Sequence, residues 1–357
     1  MIGRPALLAL LVCGAAVAAA QGIGVEPEVR PVLAGPLRFS DRELSDLQNG
    51  QVVRHGLPPQ APGEIAVAGA VRIRAPKAAF FARVRDIARF KNGEEILQIG
   101  RFSDPPALED LATLTVGPDD FDVRSCRVGD CGIRLPAATI ERFGREIDPK
   151  AADAQARGAQ LFKQVLLDQV TAYVSGTDRM AQYDDGPKPI RSREEFEGIL
   201  AGMPELSALL PGLPDHLRHF PVARLANAED FLYWSKEKFG IAPFITVTHV
   251  TIVCRSAATC LMATSDVYSS RYLDASVALA IASDAGPDAF DLVYDNRSRA
   301  NALKGRFSGL RRSLTERRAR GGMEDNLKAI KARLEGSVRS PEVDRYGTST
   351  TDGSHRK

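Results

Sequence analysis

The sequence predicts an α+β fold in which antiparallel strands are interrupted by a helical block and closed by one long C-terminal helix. Three observations carry this. Apolar residues alternate with a period of two at 64–74 and again from 245 to 294. They recur at helical spacing between 136 and 236. A last helical pattern then runs from Ala300 to Glu335.

At the N-terminus one charge, Arg4, precedes the apolar run Ala6 to Val12, and Ala18-Ala19-Ala20 before Gln21 forms an A-x-A-like cleavage site. Residues 1–20 therefore read as a secretory signal peptide, and the protein is expected in the periplasm or outside the cell. The run is too short for a transmembrane helix, which takes about 20 apolar residues. Val12 stands where a lipoprotein signal built on Cys13 wants a small residue. A hydrophobic fraction of 44% with 26% charged residues is that of a soluble globular chain. A formal net charge of +2 gives no basic excess for nucleic acid. Four cysteines remain after cleavage, as Cys126/Cys131 and Cys254/Cys260. An even count in an exported chain predicts disulfides. The two local pairings are favoured among the three possible, because each brackets a turn-like segment. Neither spacing is C-x-x-C and no histidine adjoins them, which argues against zinc at the cysteines.

The elements follow in order. Residues 21–62 form a lead-in. Pro27, Pro31 and Pro36 predict a flexible start. Ser40 and Glu43 make a capping box for a short helix ending at Asn49-Gly50, and Gln51-Val52-Val53 starts a strand. The main domain is expected over 63–335. In Glu64 to Arg74, residues Ile65, Val67, Val71 and Ile73 share one face. Ala75-Pro76 then opens a helix with Phe80, Val84 and Ile87 at helical spacing. Ile96 to Gly100 and Leu111 to Leu114 are short strand candidates, and Val123 to Leu135 reads as a hairpin around the first cysteine pair. In the block 136–236, Pro136 starts one helix and a long one through Leu161, Leu166 and Val170 ends near Gly176. Ser192 with Glu195 makes a second capping box, and Asn227 caps a last helix through Phe231 and Trp234. Ile245 to Val253, Leu261 to Tyr268, Leu273 to Ala282 and Phe290 to Tyr294 read as an antiparallel meander. The closing helix is expected to break at Gly321-Gly322, and the polar residues 336–357 to be disordered.

The strand at 65–74, the Ala75-Pro76 step, Val84-Arg85-Asp86-Ile87, and Phe290 to Tyr294 before the terminal helix together resemble the START and polyketide-cyclase-like superfamily. The resemblance implies a helix-grip-like fold: a curved antiparallel sheet around a long C-terminal helix, here with the inserted helical block 136–236. It also implies an apolar cavity between sheet and helix that binds or carries a hydrophobic small molecule or lipid. Its candidate walls are Val71, Ile73, Val247, Val277, Leu310, Leu314 and Leu327.

Candidate ligand contacts are polar groups at strand ends. Arg297 and Arg299 suit an anionic head group, since guanidinium is a planar, bidentate donor. Their plainer reading is an ion-pair corner with Asp295 or Asp274. Tyr268, Arg271 and Tyr272 suit either a ligand contact or a cation–π corner. Trp234 suits a pocket cover or core packing. His249 alternates with Val247 and Thr251 and is a further binding candidate. In the alternative of a hydrolase or cyclase, His249 or Asp295 serves as acid or base in the same cavity. Asp215-His216-x-x-His219 spaces two histidines by about a helical turn, but prolines flank it and no third ligand is evident, so no metal and no cofactor is expected. No strong catalytic motif is present. Residues 304–320 carry seven Lys/Arg against Glu316, which suits a solvated face or, in a third reading, an envelope scaffold docked on a peripheral anionic membrane surface.

Overall fold

The computed structural model describes residues 25–91, 93–177, 182–239, 242–305 and 308–338. The expected signal peptide and the tail from 339 lie outside them. Two short helices, α1 (Arg30–Ala34) and α2 (Asp41–Gln48), lead into β1 (Val53–Gly56) and β2 (Glu64–Ile73). Helices α3 (Lys77–Arg85) and α4 (Ile87–Phe90) connect to β3 (Ile96–Arg101). The block then holds α5 (Ala137–Glu146), α6 (Ala154–Ser175), a small hairpin of β4 (Gln182–Tyr183) and β5 (Ile190–Arg191), and α7 (Ser192–Ala201), α8 (Pro204–Leu209) and α9 (Leu213–His219). Strands β6 (Glu229–Phe239), β7 (Ala242–Cys254), β8 (Thr259–Ser269), β9 (Ala275–Asp284) and β10 (Phe290–Arg299) form the meander, and α10 (Ser308–Val338) follows.

Eight strands make one curved antiparallel sheet in the order β1-β2-β10-β9-β8-β7-β6-β3. Strand β2, from the N-terminal half, pairs with β10 from Phe290↔Ile73 to Arg299↔Glu64. Alternation of side chains then sorts the core. On the inner face, which carries α10, Ile65, Val67, Val71, Ile73, Phe290 and Leu292 pack with Phe80 and Val84 of α3 and with Met323, Leu327 and Leu334 of α10. On the outer face, Val277, Leu279 and Ile281 pack with α1, α2, α7, α8 and α9. Further along it, Trp234, Ile245 and Val247 pack with α5 and α6. Helix α10 approaches β2 closely at Gly69, where a Cβ would stand 2.7 Å from Met323 Sδ and 3.0 Å from Leu327 Cδ1 and would push those side chains aside. Both local disulfides form, Cys126–Cys131 and Cys254–Cys260. Among the described residues no helix is long and apolar enough to cross a membrane.

Several expectations are corrected. The lead-in is packed rather than flexible: Val29, Leu33 and Leu37 are fully buried around α1. Leu108–Leu111 forms a 3₁₀ turn, not a strand. Ser192 lies inside α7 behind Arg191 and makes no cap hydrogen bond. Residues 229–239 are strand, not helix, because every one of them pairs with β7, from Glu229↔Ile252 to Phe239↔Ala242. Leu232 and Trp234 thereby face outward, and Phe231 and Tyr233 inward. The long helix starts at Ser308, after a 3₁₀ turn at Asn301–Leu303, and runs unbroken through Gly321-Gly322. The proposed cavity walls do not share a cavity. Val71, Ile73 and Leu327 are on the inner face and Val247 and Val277 on the outer, while Leu310 and Leu314 are 70% and 51% exposed.

Candidate functional site

The part of the inner face left open to solvent is polar. Helix α10 lies along β1 and β2: Arg54 pairs with Glu324, and Lys331 Nζ donates to Arg72 O. Helices α3 and α4 cover the end near Phe290. Between them, Thr264 and Asp266 of β8, Ser276 of β9, and Tyr294, Asn296 and Ser298 of β10 are half-buried, whereas their outward neighbours are buried. Ala278 and Ala280, themselves buried, add only methyl groups to this strip.

At one side of the strip lies a cluster of titratable groups. Lys91, just after α4, places Nζ 2.6 Å from Glu237 Oε1 and 3.3 Å from the Tyr233 hydroxyl. Burial alone would lower the Lys91 pKa, but Tyr233 and Glu237 outweigh it and hold the ammonium charged. Ser235 donates to the same Glu237 oxygen at 2.6 Å. Thr248 Oγ1 donates to Asp266 Oδ1 at 3.1 Å. Burial pushes the Asp266 carboxyl up to about 7, against the pull of Thr248 and Lys91 and with help from the Glu237 charge. Burial also raises the nearby Tyr294 phenol, with Tyr233 adding to it. A carboxyl poised near neutrality on a half-buried strand position can donate or accept a hydrogen bond, which is a common property of binding and catalytic groups. These residues escaped sequence reading because Lys91, Glu237, Asp266 and Tyr294 come from four separate segments. The one visible signal was a charged residue at an inward position of a strand.

The residues singled out from the sequence fall elsewhere. Arg297 and Arg299 are on the outer face, buried, and joined through Glu64, with Arg299 also reaching Glu195 at 3.3 Å. They form an ion-pair corner with partners other than Asp295 or Asp274, and do not stand at a mouth beneath α10. Tyr268 is buried and donates to Arg134 O at 3.1 Å. Arg271 donates to Asp120 O, and the Tyr272 hydroxyl joins Ala242 N and O at 3.0 Å. These three residues pin the β8–β9 turn to neighbouring chain. Trp234 is fully buried, with Nε1 donating to Asp110 O at 2.8 Å.

His249 also faces outward. Its Nε2 lies 3.0 Å from Asp230 Oδ1 and its Nδ1 2.9 Å from the Tyr173 hydroxyl. Burial lowers the His249 pKa, against the pull of Asp230. Burial would raise Asp230, but hydrogen bonds from His216, His249 and Thr251 hold it well below the usual carboxylate range. Asp295, the other acid/base candidate, is 1% exposed on the outer face, and burial and the adjacent Glu205 raise its carboxyl well above normal. Neither group can therefore act in a cavity beneath α10. His219 pairs with Asp215 on the surface at 2.7 Å and stays apart from His216.

Comparison of the chain with protein-family models, with curated proteins and with solved structures finds no match. Fold and site together define an α+β protein with one curved antiparallel sheet, helices on both faces and a polar strip on the inner one. Its two disulfides fit a non-reducing, exported environment.

Proposed function

We propose that this protein is an exported binder or carrier of an amphipathic small molecule or lipid, held on the inner face of the sheet between α10 and α3–α4. The half-buried strip Thr264, Asp266, Tyr294 and Asn296 carries this reading, because these polar side chains stay partly exposed on an inner face otherwise packed against helices. A strand, two short helices, a meander and a terminal helix on one sheet face support a START-like, helix-grip arrangement. The strip is more polar than the sequence resemblance implies. Its ligand has a polar group for Asp266 or Tyr294 and an apolar body for Ala278, Ala280 and Tyr233. Mass spectrometry of organic extracts from the protein purified out of its exporting host is expected to find one defined amphiphile. Thr264→Trp, which covers the strip from a partly exposed position, removes that amphiphile without unfolding the protein. An empty wild-type extract, or the same species retained by Thr264→Trp, overturns the proposal. Binding is also expected to change between pH 6 and 8 as Asp266 titrates, and Asp266→Asn flattens that profile.

A second reading rests on α10. At about 100° per residue, Leu314 lies roughly half a turn away from Met323, which meets the sheet. Leu310 and Leu314 thus point outward, among exposed Arg311, Arg317 and Arg318. Exposed leucines flanked by arginines suit an anionic lipid surface, where each basic residue contributes about 1 kcal/mol. The protein is expected to float with phosphatidylglycerol-containing vesicles at low salt. Changing the three arginines to Gln weakens partitioning by roughly 100-fold, and Leu310→Ser with Leu314→Ser also weakens it. Flotation that ignores all five changes sinks the reading.

A further inference from the structure

On the outer face, α9 and the β6–β7 pair bring four side chains to one point. Asp230 sits opposite Thr251 in the ladder, and Leu232 opposite His249, so Asp230 and His249 are diagonal neighbours on one face. His216 descends on them from α9. Asp230 Oδ1 lies 2.9 Å from His216 Nε2, 3.0 Å from His249 Nε2 and 2.8 Å from Thr251 Oγ1. His216 Nε2 is 3.3 Å from that same Thr251 oxygen. The two imidazole nitrogens and the carboxylate oxygen all lie within 4.8 Å of one another. Both histidines are 1% exposed, Thr251 is fully buried, and the Asp230 side chain is 14% exposed.

His216 Nδ1 lies 2.9 Å from the Ala223 carbonyl oxygen, and the Leu225 N–H donates to that nitrogen at 3.3 Å. His249 Nδ1 lies 2.9 Å from the Tyr173 hydroxyl, which holds the ring's orientation. Without an ion, Nε2–H of each ring donates to Asp230, and a cation bound there would displace those protons. Histidine ligands whose other nitrogen is fixed by a carbonyl or other oxygen are the usual arrangement around a bound metal.

We propose that His216, Asp230 and His249 bind a divalent transition-metal ion, zinc by ligand chemistry, with Thr251 or a water reaching past Asp230 as the fourth donor. Two imidazoles and one carboxylate suit Zn²⁺, and not Ca²⁺ or Mg²⁺, which prefer all-oxygen sets. Tetrahedral bonds of about 2.0–2.2 Å separate neighbouring donors by roughly 3.3–3.6 Å. Asp230 Oδ1, now 2.9 and 3.0 Å from the two imidazole nitrogens, needs to move from each by only a few tenths of an ångström. The ion would tie α9 to β6 and β7. The site is closed, which suits a structural role.

The test uses the mature chain, stripped with a chelator and reloaded with zinc chloride, then desalted. Elemental analysis is expected to give about one zinc per chain, the melting temperature to rise on loading, and cobalt to show the visible absorption of a tetrahedral site. Asp230→Asn and His249→Gln lose the ion, Tyr173→Phe weakens binding about 10–100-fold, and His219→Ala leaves it intact. Should the ligand variants fail to fold, the wild-type chain still decides. No retained zinc and an unchanged melting temperature overturn the proposal, as does zinc that survives Asp230→Asn but is lost with His219→Ala.

Discussion

Replacing Glu64 with alanine is expected to lower the stability of the protein by about 3–5 kcal/mol. Glu64 begins β2, and its side chain is fully buried. It accepts from Arg297 Nη1 at 3.2 Å and from Arg299 Nε at 3.0 Å, and Gln60 N donates to Oε1 at 3.2 Å. Removing the carboxylate takes a partner from two buried cations. Arg299 keeps Glu195, but Arg297 is left with the Pro58 carbonyl at 3.4 Å. The loss arises mainly from desolvated charge without a partner, since a buried pair itself contributes little over a well-packed apolar substitute. The double variant Glu64→Ala, Arg297→Leu should therefore recover part of it. Urea unfolding measures both, and a Glu64→Ala variant within about 1 kcal/mol of the parent contradicts this account.

Asp295→Asn is expected to stabilise the protein at pH 8, by about 1–3 kcal/mol, and to change little at pH 5. Asp295 in β10 and Glu205 in α8 face one another in the core, 1% and 0% exposed, and none of their four carboxyl oxygens has another hydrogen-bond partner among the described residues. A single shared proton removes one of the two charges and joins one oxygen of each carboxyl. Burial and the Glu205 charge raise the Asp295 carboxyl, against Arg297, so the folded state binds a proton that the unfolded state has released. The sign follows: this contribution is fully present below the unfolded carboxyl pKa of about 4 and is lost as pH rises toward the raised folded value. An asparagine amide donates to Glu205 without needing a proton, so its variant should lose that slope. Thermal unfolding across pH 4–9 tests this, and equal slopes for parent and variant count against the shared proton.

Short-range signals in the chain proved reliable where local chemistry alone decides. Ser40 and Glu43 form both halves of their capping box, and Gly176 ends α6 in the left-handed conformation. The meander registers follow the alternation of β-branched residues. The same reasoning failed at 229–239, where Phe231 and Trp234 fit a helix as well as a strand, and long-range pairing with β7 chose the strand. It failed at Leu310 and Leu314 because helical spacing reveals a stripe without saying whether anything covers it.

The sites were the least legible part. His216 and His249 both drew notice, but as separate features, and Asp230 drew none. Their meeting depends on the β6–β7 register and on where α9 lands, neither of which is encoded within a window of neighbouring residues.

Taken alone, the sequence determined what depends on a few adjacent residues: the alternating strands of the meander, the Ser40–Glu43 capping box, and the pairing of each cysteine with its near neighbour. Only tertiary structure decided which sheet face each strand residue joined, and so which charges were buried together at Glu64, at Asp295 and around Asp230. The physical reason is that alternation fixes two faces for every strand, but burial on either face comes from elements distant in the chain.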